Sequence, residues 1–366
     1  MNILIETQFE LIRNIRDRKQ FVHESIPFTS PRLIQEITDQ LSINKDASIG
    51  VMFCVEWAVY LKFKTFTNIT VLTDVFCPAT ESLCKMFQLK YQYNLKKNMK
   101  FDVIVGNPPY NKGLVGKTPF KKIGGYGDFI YACSKLLKQD SSMTMVIPSN
   151  FMCLPSAQQF RKWVLENLNI ERLEIKDNSK QQLFNIGMSD ILILTLSNSR
   201  PNNTNIQYIA QEPMIVDLTK YDFWPMYKNK LSQEIFDQVQ ESKIQDLVVG
   251  GGDLEKITLP SNNYIMGNNT RMGPRQNPEP YKSFVKNQVK DIKIPIFIQF
   301  DDELETDDYW TWMQTKHYAY VLSHTQTSPK NQPYFFSIIG KHPSYDFDLT
   351  TEQQDEIENW YAKFNQ

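Results

Sequence analysis

Short runs of apolar residues alternate with helical patterns through the first 200 residues, and this alternation restricts the possible folds more than any other feature. The runs contain few polar positions, which is typical of strands buried on both faces. The segments between them leave room for crossover helices, as a parallel sheet requires. We therefore predict an α/β domain with a mostly parallel sheet, with strands near residues 48–54, 68–73, 89–93, 101–105, 142–148, 170–175 and 190–196.

Polar residues follow several of these predicted strands. Asp74 comes after the second strand, Asn94 after the third, and Gly106 and Asn107 after the fourth. Ligands of doubly wound sheets bind at the carboxyl ends of the strands. We expect these residues to form part of one binding site.

The regular alternation ends near residue 220. The polar stretch 197–205 is either a hairpin loop or the approach to a domain boundary. After a predicted helix at 228–239, glycines and prolines interrupt short extended runs that are rich in Tyr and Trp. We predict two domains, 1–219 and 220–366, the second being smaller, loop-rich and α+β.

Composition excludes several classes of protein. No stretch of about 18 apolar residues is present, so we expect no membrane span, and the first residues do not resemble a secretory signal. Five cysteines without a CxxC pair favour reduced thiols and a cytoplasmic location, and argue against a zinc cluster. The four histidines are far apart, and we predict no metal site.

Charge is unevenly distributed, although the 366 residues carry a net charge of only −1. Residues 85–122 contain nine lysines and one acid, whereas residues 301–308 contain six acids. Such a chain can present one strongly positive surface, or the charges can simply be solvated. The acidic run could repel nucleic acid, mimic it or solubilise its domain.

The most informative sequence is the buried strand FDVIV followed by Gly106-Asn107-Pro108-Pro109-Tyr110. The prolines end the strand pairing and make the backbone rigid. The Asn107 side chain and the Pro108 carbonyl can accept the two hydrogens of an amino group, while Tyr110 stacks on the ring that carries it. Accepting both hydrogens localises the nitrogen lone pair, as attack on an electrophilic methyl group requires.

This sequence resembles motif IV, (D/N/S)PP(Y/F), of the amino-methyltransferases. Segments over residues 20–200 are similar to the N6-adenine DNA methyltransferases of restriction–modification systems. The resemblance implies a Rossmann-like domain with a mostly parallel seven-stranded sheet, S-adenosyl-L-methionine as cofactor, and a C-terminal recognition domain. It also implies that the target adenine is flipped out of double-stranded DNA, with Asn107, Pro108, Pro109 and Tyr110 as the catalytic residues.

The resemblance extends to cofactor residues. Residues 26–34 are similar to motif X, so Phe28 and Thr29 would contact the cofactor, together with Gly106. Asp74 matches the acid that binds the ribose, and Asn94 stands where the family has an Asp near the adenine. Alternatively, Phe28 and Thr29 form a staple at the N-terminus of a helix that starts at Ser30-Pro31. Asp74 could likewise cap a helix, and Asn94 could be a turn residue.

One segment departs from the family pattern. Motif I is a glycine-rich turn after the first strand, where the backbone comes close to the cofactor. The corresponding residues here, 51–59, contain no glycine. Glu56 could replace a lost contact or be a solvated helix residue.

The resemblance also implies contacts with the nucleic acid. Phe184, in a segment similar to motif VIII, would stack on the flipped base, or else belongs to the core. The basic, glycine-rich segment 111–127 would clamp the phosphate backbone, or is a disordered surface loop. Base or phosphate contacts are expected from Lys112, Lys117, Lys121, Lys122, Arg271 and Arg275.

Three functions remain open at this point. The first is a site-specific adenine-N6 DNA methyltransferase (EC 2.1.1.72), of bacterial or phage origin, alone or with a separate restriction endonuclease. The second is methylation of RNA or of a protein amide by the same chemistry. The third is a weakened or inactive methyltransferase fold that binds nucleic acid, which the missing glycines would explain.

Overall fold

The computed structural model divides the chain into two compact units, and each is described by itself below. The first unit contains residues 1–149, 156–209 and 215–222, and the second contains residues 150–155, 210–214 and 223–366. The residues that the structure describes are 3–18, 28–74, 76–95, 98–110, 119–120, 125–176, 190–245, 248–251, 263–268, 284–288, 295–325, 338–342 and 344–363.

A nine-stranded sheet is the centre of the first unit. Its strands are β1 (Ile49–Met52), β2 (Ile69–Thr73), β3 (Lys90–Tyr93), β4 (Phe101–Gly106), β5 (Leu137–Pro148), β6 (Asn169–Lys176), β7 (Ile191–Ser197), β8 (Ile206–Ile209) and β9 (Pro213–Val216). Its helices are α1 (Ile3–Arg18), α2 (Pro31–Gln40), α3 (Val55–Phe63), α4 (Pro78–Met86), α5 (Gly125–Ser134) and α6 (Gln158–Asn167).

The strand order is β3-β2-β1-β4-β5-β7-β6-β8-β9. Strands β1 to β5 pair in parallel with one another, whereas β7 is antiparallel to both β5 and β6. The α/β class is confirmed, but the predicted seven-stranded count is wrong. The sheet is mixed, because β7 inserts antiparallel between β5 and β6, and two short strands extend the edge.

The stretch 198–205 is not a hairpin turn. It connects β7 to β8, and β8 pairs in parallel with β6 rather than with β7. Asn203 fixes this connection: its side-chain oxygen accepts from Ile170 N at 2.8 Å and its amide nitrogen donates to Leu168 O at 3.0 Å. The connection therefore belongs to the first unit.

Helices pack on the sheet through buried apolar side chains. Every residue of α3 from Val55 to Leu61 is buried, since this helix lies between the sheet and α1, α2 and α4. A helix that is apolar on all sides requires such an interior position. Helix α5 ends at Ser134, and Leu137 already pairs with Phe101 as the first residue of β5.

The second unit combines a four-stranded antiparallel sheet with helices, in agreement with the predicted α+β class. The sheet order is β10-β13-β11-β12, formed by β10 (Val248–Gly251), β11 (Tyr264–Asn268), β12 (Phe284–Lys286) and β13 (Pro295–Gln299). The helices are α7 (Lys230–Glu241), α8 (Glu303–Met313), α9 (Lys316–Leu322) and α10 (Thr351–Ala362).

The acidic run 301–308 has a local structural role. The Asp302 side chain caps α8 by accepting from Glu305 N at 2.7 Å. Asp301 and Glu305 both pair with the buried Lys341, at 2.7 and 3.1 Å from its Nζ. Part of the run is therefore neutralised within the unit.

All five cysteines are buried free thiols. Among the described residues, no helix has the length and apolar character needed to cross a membrane.

Candidate active site

The carboxyl ends of four adjacent parallel strands bring the predicted site residues to one edge of the sheet. Asn94 follows β3, Asp74 follows β2, Cys54 lies two residues after β1, and Asn107 follows β4. The chain runs from β1 outward to β3 and then returns to the other side of β1 as β4. This reversal creates the crevice in which doubly wound sheets bind their ligands.

The turn after β1 is built without glycine. Phe53 adopts a left-handed backbone conformation with φ of 62°, a conformation that usually favours glycine. Its amide donates to Leu72 O at 3.0 Å, and its ring packs edge-on against Phe129, with ring centroids 4.8 Å apart. The chain thus keeps a tight strand-to-helix turn, but a bulky buried residue occupies it.

Gly106 is required by the close approach of β1 and β4. A Cβ atom at this position would lie 2.6 Å from Met52 Cβ and 2.7 Å from the Met52 carbonyl oxygen. Met52 and Gly106 are paired in register at the ends of the two strands. The structure therefore gives Gly106 a packing role at the base of the crevice, and its predicted contact with the cofactor stays a prediction.

Asn107 is fully buried and is bonded to segments that are distant in the sequence. Its Nδ2 donates to Thr29 Oγ1 at 3.3 Å, and its backbone oxygen accepts from Cys54 Sγ at 3.9 Å. The Cys54 sulfur also lies 3.7 Å from Thr29 Oγ1. Asn107, in the turn after β4, is therefore in contact with two other segments. Thr29 comes from the segment before α2, and Cys54 comes from the turn after β1.

Glu56 completes this cluster and is not a solvated helix residue. It is fully buried in the first turn of α3, and its Oε1 accepts from the backbone amide of Thr29 at 3.1 Å. A carboxylate is stabilised near a helix N-terminus by the helix dipole. Sequence analysis identified Glu56 as a candidate but missed Cys54. Cys54 belongs to no recognisable motif, and only its position directly before a helix could have pointed to it.

The motif X segment begins α2 as the alternative interpretation proposed. Ser30 caps the helix by accepting from Leu33 N at 3.3 Å, and Pro31 occupies the first turn. The Phe28 ring packs edge-on against Phe9, with the Arg13 guanidinium 5.0 Å from the ring centroid. Helix capping and a role for Thr29 in the site are compatible.

Pro108, Pro109 and Tyr110 are buried beside Asn107. Burial raises the pKa of the Tyr110 hydroxyl above its ordinary value. Tyr110 is only 6% exposed. In this structure Tyr110 and Asn107 are therefore both shielded from solvent.

The surroundings of Asp74 are ordered by Tyr91, which sequence reasoning missed. The Tyr91 hydroxyl lies 3.0 Å from Thr73 Oγ1 and accepts from Cys77 N at 2.9 Å. Cys77, not Asp74, is the N-cap residue of α4. The capping interpretation of Asp74 is therefore wrong, and its half-buried carboxylate follows directly from the end of β2.

Asn94 is exposed and adopts a left-handed conformation with φ of 59°. This agrees with its interpretation as a turn residue and does not exclude contact with a ligand. Next to it, Phe76 and Tyr93 form a partly exposed aromatic pair, with ring centroids 5.2 Å apart. Two aromatic surfaces therefore flank the edge that carries Asp74 and Asn94.

The basic segment after the NPPY turn begins and ends at the site. Gly125 N donates to Tyr110 O at 3.0 Å, which holds its two ends together. Phe120, within the segment, packs against Phe160 and Trp163, with ring centroids 5.2 and 5.7 Å away. The described part of the segment is thus anchored on the first unit beside the NPPY turn.

Several predicted residues lie outside the described residues, and their contacts stay predictions. These are Phe184, Lys112, Lys117, Lys121, Lys122, Arg271 and Arg275. Within the described ranges, no group of three or more His, Cys, Asp or Glu side chains could hold a metal ion.

Comparison with known proteins gives one family match in sequence. Residues 60–184 match the Eco57I restriction-modification methylase model, a segment that contains Asp74, Asn94 and the NPPY turn. No curated protein matches the chain.

Several solved structures are similar to this chain at low identity. A putative class I S-adenosylmethionine-dependent methyltransferase from Listeria monocytogenes has 12% identity and a TM-score of 0.46, with 56% of this chain and 72% of that one covered. A modification subunit of a putative type I restriction enzyme from Vibrio vulnificus YJ016 has 14% identity and a TM-score of 0.45, over 58% and 54% of the chains. The type IIG restriction endonuclease BpuSI has 11% identity and a TM-score of 0.49, over 98% and 63%. This chain thus spans less than two thirds of the latter two proteins.

The family match, rather than these structural likenesses, carries the assignment. The matched segment supports a methyltransferase of the restriction–modification type, with S-adenosyl-L-methionine as its cofactor. This match covers residues 60–184, which is about a third of the chain.

Proposed function

We propose that this protein transfers a methyl group from S-adenosyl-L-methionine to the N6 amino group of an adenine in double-stranded DNA. The observation that carries the proposal is the meeting of Asn107, Thr29 and Cys54 at the crevice between β1 and β4. It joins the turn that would accept an amino group to two segments that would face the cofactor.

The residues at the edge of the sheet fit the cofactor by their chemistry. The Asp74 carboxylate can accept from ribose hydroxyls, and Asn94 and the aromatic pair beside it suit an adenine ring. Thr29 and Phe28 would face the methionine part. When bound, S-adenosyl-L-methionine supplies an electrophilic methyl group on a sulfonium.

Asn107 and Pro108 would prepare the nucleophile. The Asn107 carboxamide oxygen and the Pro108 carbonyl accept the two amino hydrogens, so the nitrogen lone pair is localised for attack. The nitrogen gains the methyl group and then loses one proton to water. Tyr110 and Phe184 would stack on the flipped base and offset the few kcal/mol that unstacking costs.

The remaining parts of the chain would bind the nucleic acid. Residues 220–366 would read the target sequence, with Arg271 and Arg275 contacting bases or phosphates, and the lysines of residues 112–122 would contact the backbone. A separate restriction endonuclease would complete the system. The five free thiols are compatible with a reducing cytoplasm.

Tritium transfer from labelled S-adenosyl-L-methionine to unmethylated DNA, followed by nucleoside analysis, tests the proposal. We expect labelled N6-methyladenine, and a loss of more than about 100-fold in the Asn107→Ala variant, the scale of lost transition-state contacts. If label appears in RNA or protein but not in DNA, the substrate is RNA or protein and the DNA part of the proposal is wrong. An unaffected Asn107→Ala rate would contradict the role of the NPPY turn.

The alternative function, nucleic-acid binding without catalysis, is favoured by Phe53. A phenylalanine in the turn after β1 prevents the close backbone approach that glycine permits. Calorimetric titration with S-adenosyl-L-methionine separates the two candidates. Stoichiometric binding supports methyl transfer, whereas DNA binding without cofactor binding supports the alternative.

A further inference from the structure

Asn107 can serve the proposed reaction in only one of its two side-chain orientations. A carboxamide has one acceptor oxygen and one donor nitrogen, and a target amino group needs the acceptor. If the carboxamide were rotated by 180°, two NH2 groups would face each other and one hydrogen bond would be lost. Something in the site must therefore select the productive orientation.

The contacts around Asn107 form a closed ring of hydrogen bonds with one consistent direction. Asn107 Nδ2 donates to Thr29 Oγ1 at 3.3 Å, and Cys54 Sγ donates to the Asn107 backbone oxygen at 3.9 Å. Since the Cys54 proton is used on that oxygen, the Thr29 hydroxyl donates to the Cys54 sulfur, 3.7 Å away. Thr29 Oγ1 then has only lone pairs left for Asn107, so it receives the nitrogen and not the oxygen.

Glu56 holds the ring in place from outside. Its carboxylate accepts from the backbone amide of Thr29 at 3.1 Å, and both residues are fully buried. This bond fixes Thr29 relative to the first turn of α3. The segment before α2 therefore cannot shift without breaking a buried bond to a carboxylate, which is among the stronger kinds of hydrogen bond.

We propose that Thr29 and Cys54 are positioning residues that turn the Asn107 carboxamide oxygen towards the target amino group, with Glu56 fixing Thr29. The inference rests on the proposed function for its catalytic consequence. The orientation itself belongs to the protein without cofactor or substrate, so it can be measured separately. Thr29 thus has a role in addition to the cofactor contact expected from the sequence.

Matched substitutions test the ring. Thr29→Val has the same shape but no hydroxyl, and Thr29→Ser restores the hydroxyl. At saturating cofactor and DNA we expect kcat of Thr29→Val to fall at least tenfold, and that of Thr29→Ser to stay within threefold of the wild type. A cofactor contact alone would instead raise the dissociation constant for S-adenosyl-L-methionine and leave the saturated kcat unchanged, which would overturn the proposal.

A second measurement does not depend on activity. The side-chain NH2 of Asn107, observed by NMR in selectively 15N-labelled protein, should exchange slowly with solvent in the wild type and Thr29→Ser. Exchange should be at least tenfold faster in Thr29→Val. Cys54→Ala breaks the ring at another point and replaces Thr29→Val if that variant does not fold. Equal exchange rates in all folded variants would overturn the proposal.

The outcomes separate the inference from the proposed function. If the wild type transfers no methyl group but Thr29→Val exposes the Asn107 side chain, the ring is supported and the proposed function fails. If the wild type is active and both variants match it in kcat and exchange, the ring is refuted and the proposed function stands. Glu56→Ala, which removes the acceptor for Thr29 N, should resemble Thr29→Val in both kcat and exchange rate.

Discussion

Replacing Gly106 by alanine tests whether the close approach of β1 and β4 positions Asn107. The new Cβ would lie 2.6 Å from Met52 Cβ and 2.7 Å from the Met52 carbonyl oxygen. Neither atom can move without shifting β1, because Met52 and Gly106 are paired in register. Overpacking costs about 1–3 kcal/mol, and we expect the upper part of that range since no flexible side-chain end is involved.

The same shift displaces the site, because Asn107 directly follows Gly106. A misplacement of about 1 Å can lower a catalytic rate by about 100-fold. We therefore expect kcat/KM of Gly106→Ala to fall by at least about tenfold at temperatures where the variant is folded.

Gly50→Ala is the matched control within β1. Its Cβ would meet Leu72 Cδ1 at 2.9 Å, the end of a flexible side chain that can move aside. We expect a smaller loss of stability and a kcat/KM close to that of the wild type.

Urea unfolding and tritium transfer measure the two effects. The reasoning is refuted if Gly106→Ala unfolds at the wild-type urea concentration and keeps its kcat/KM. Equal losses of stability and of kcat/KM in Gly106→Ala and Gly50→Ala would also contradict the reasoning. The location of Gly106 at the carboxyl end of β4 would then have no particular effect.

Two further predictions concern the second unit and the basic segment. Burial lowers the pKa values of His317 and His342 to about 4, so the unfolded state binds more protons between about pH 6.5 and 4. The free energy of unfolding should therefore fall as pH drops through this window, by up to roughly 3 kcal/mol per histidine, and change little above it; equal urea midpoints at pH 7.5 and 4.5 would contradict this. Replacing Lys121 and Lys122 together by alanine should lower the slope of log binding constant for DNA against log salt by about two, because each phosphate contact releases counterions. An unchanged slope would show that these two lysines do not contact DNA phosphates.

The strands of the first unit could be predicted where burial makes them apolar throughout. All four residues of β1 and all seven of β7 are buried, and both were expected from their apolar runs. The two missed strands, β8 and β9, alternate buried and exposed residues over only four positions each. Short, half-buried strands at a sheet edge do not stand out from loops in a single sequence.

The direction of β7 could not be predicted from its composition. A strand buried on both faces has the same apolar pattern whether its neighbours run parallel or antiparallel to it. Here β7 is antiparallel to β5 over seven residue pairs, from Ser142–Ser197 to Pro148–Ile191. The sheet is mostly parallel, as predicted, with β7 as the antiparallel exception. The predicted count of seven strands failed because of the two short edge strands.

The position of the candidate site residues at strand ends was predictable, but their contacts were not. The position of Asn107 after a strand followed from the apolar run and the two prolines. Its bonds to Thr29 and Cys54 join positions 78 and 53 residues away, and no local pattern encodes such pairings. Glu56 illustrates the same difficulty, since only the fold shows that this carboxylate is buried on Thr29 N.

The turn after β1 shows that a missing glycine does not have to mean a missing turn. Phe53 takes the left-handed conformation itself, at a cost of about 1–2 kcal/mol for a residue with a Cβ, and packing of its buried ring on Phe129 can offset that cost. What phenylalanine cannot provide is room for a ligand against the backbone. Binding of the cofactor would therefore depend on side chains at the same edge, above all Asp74 and Thr29. Because Thr29 Oγ1 also accepts from the Asn107 side chain, the proposed roles would make Thr29 serve both cofactor binding and the orientation of Asn107.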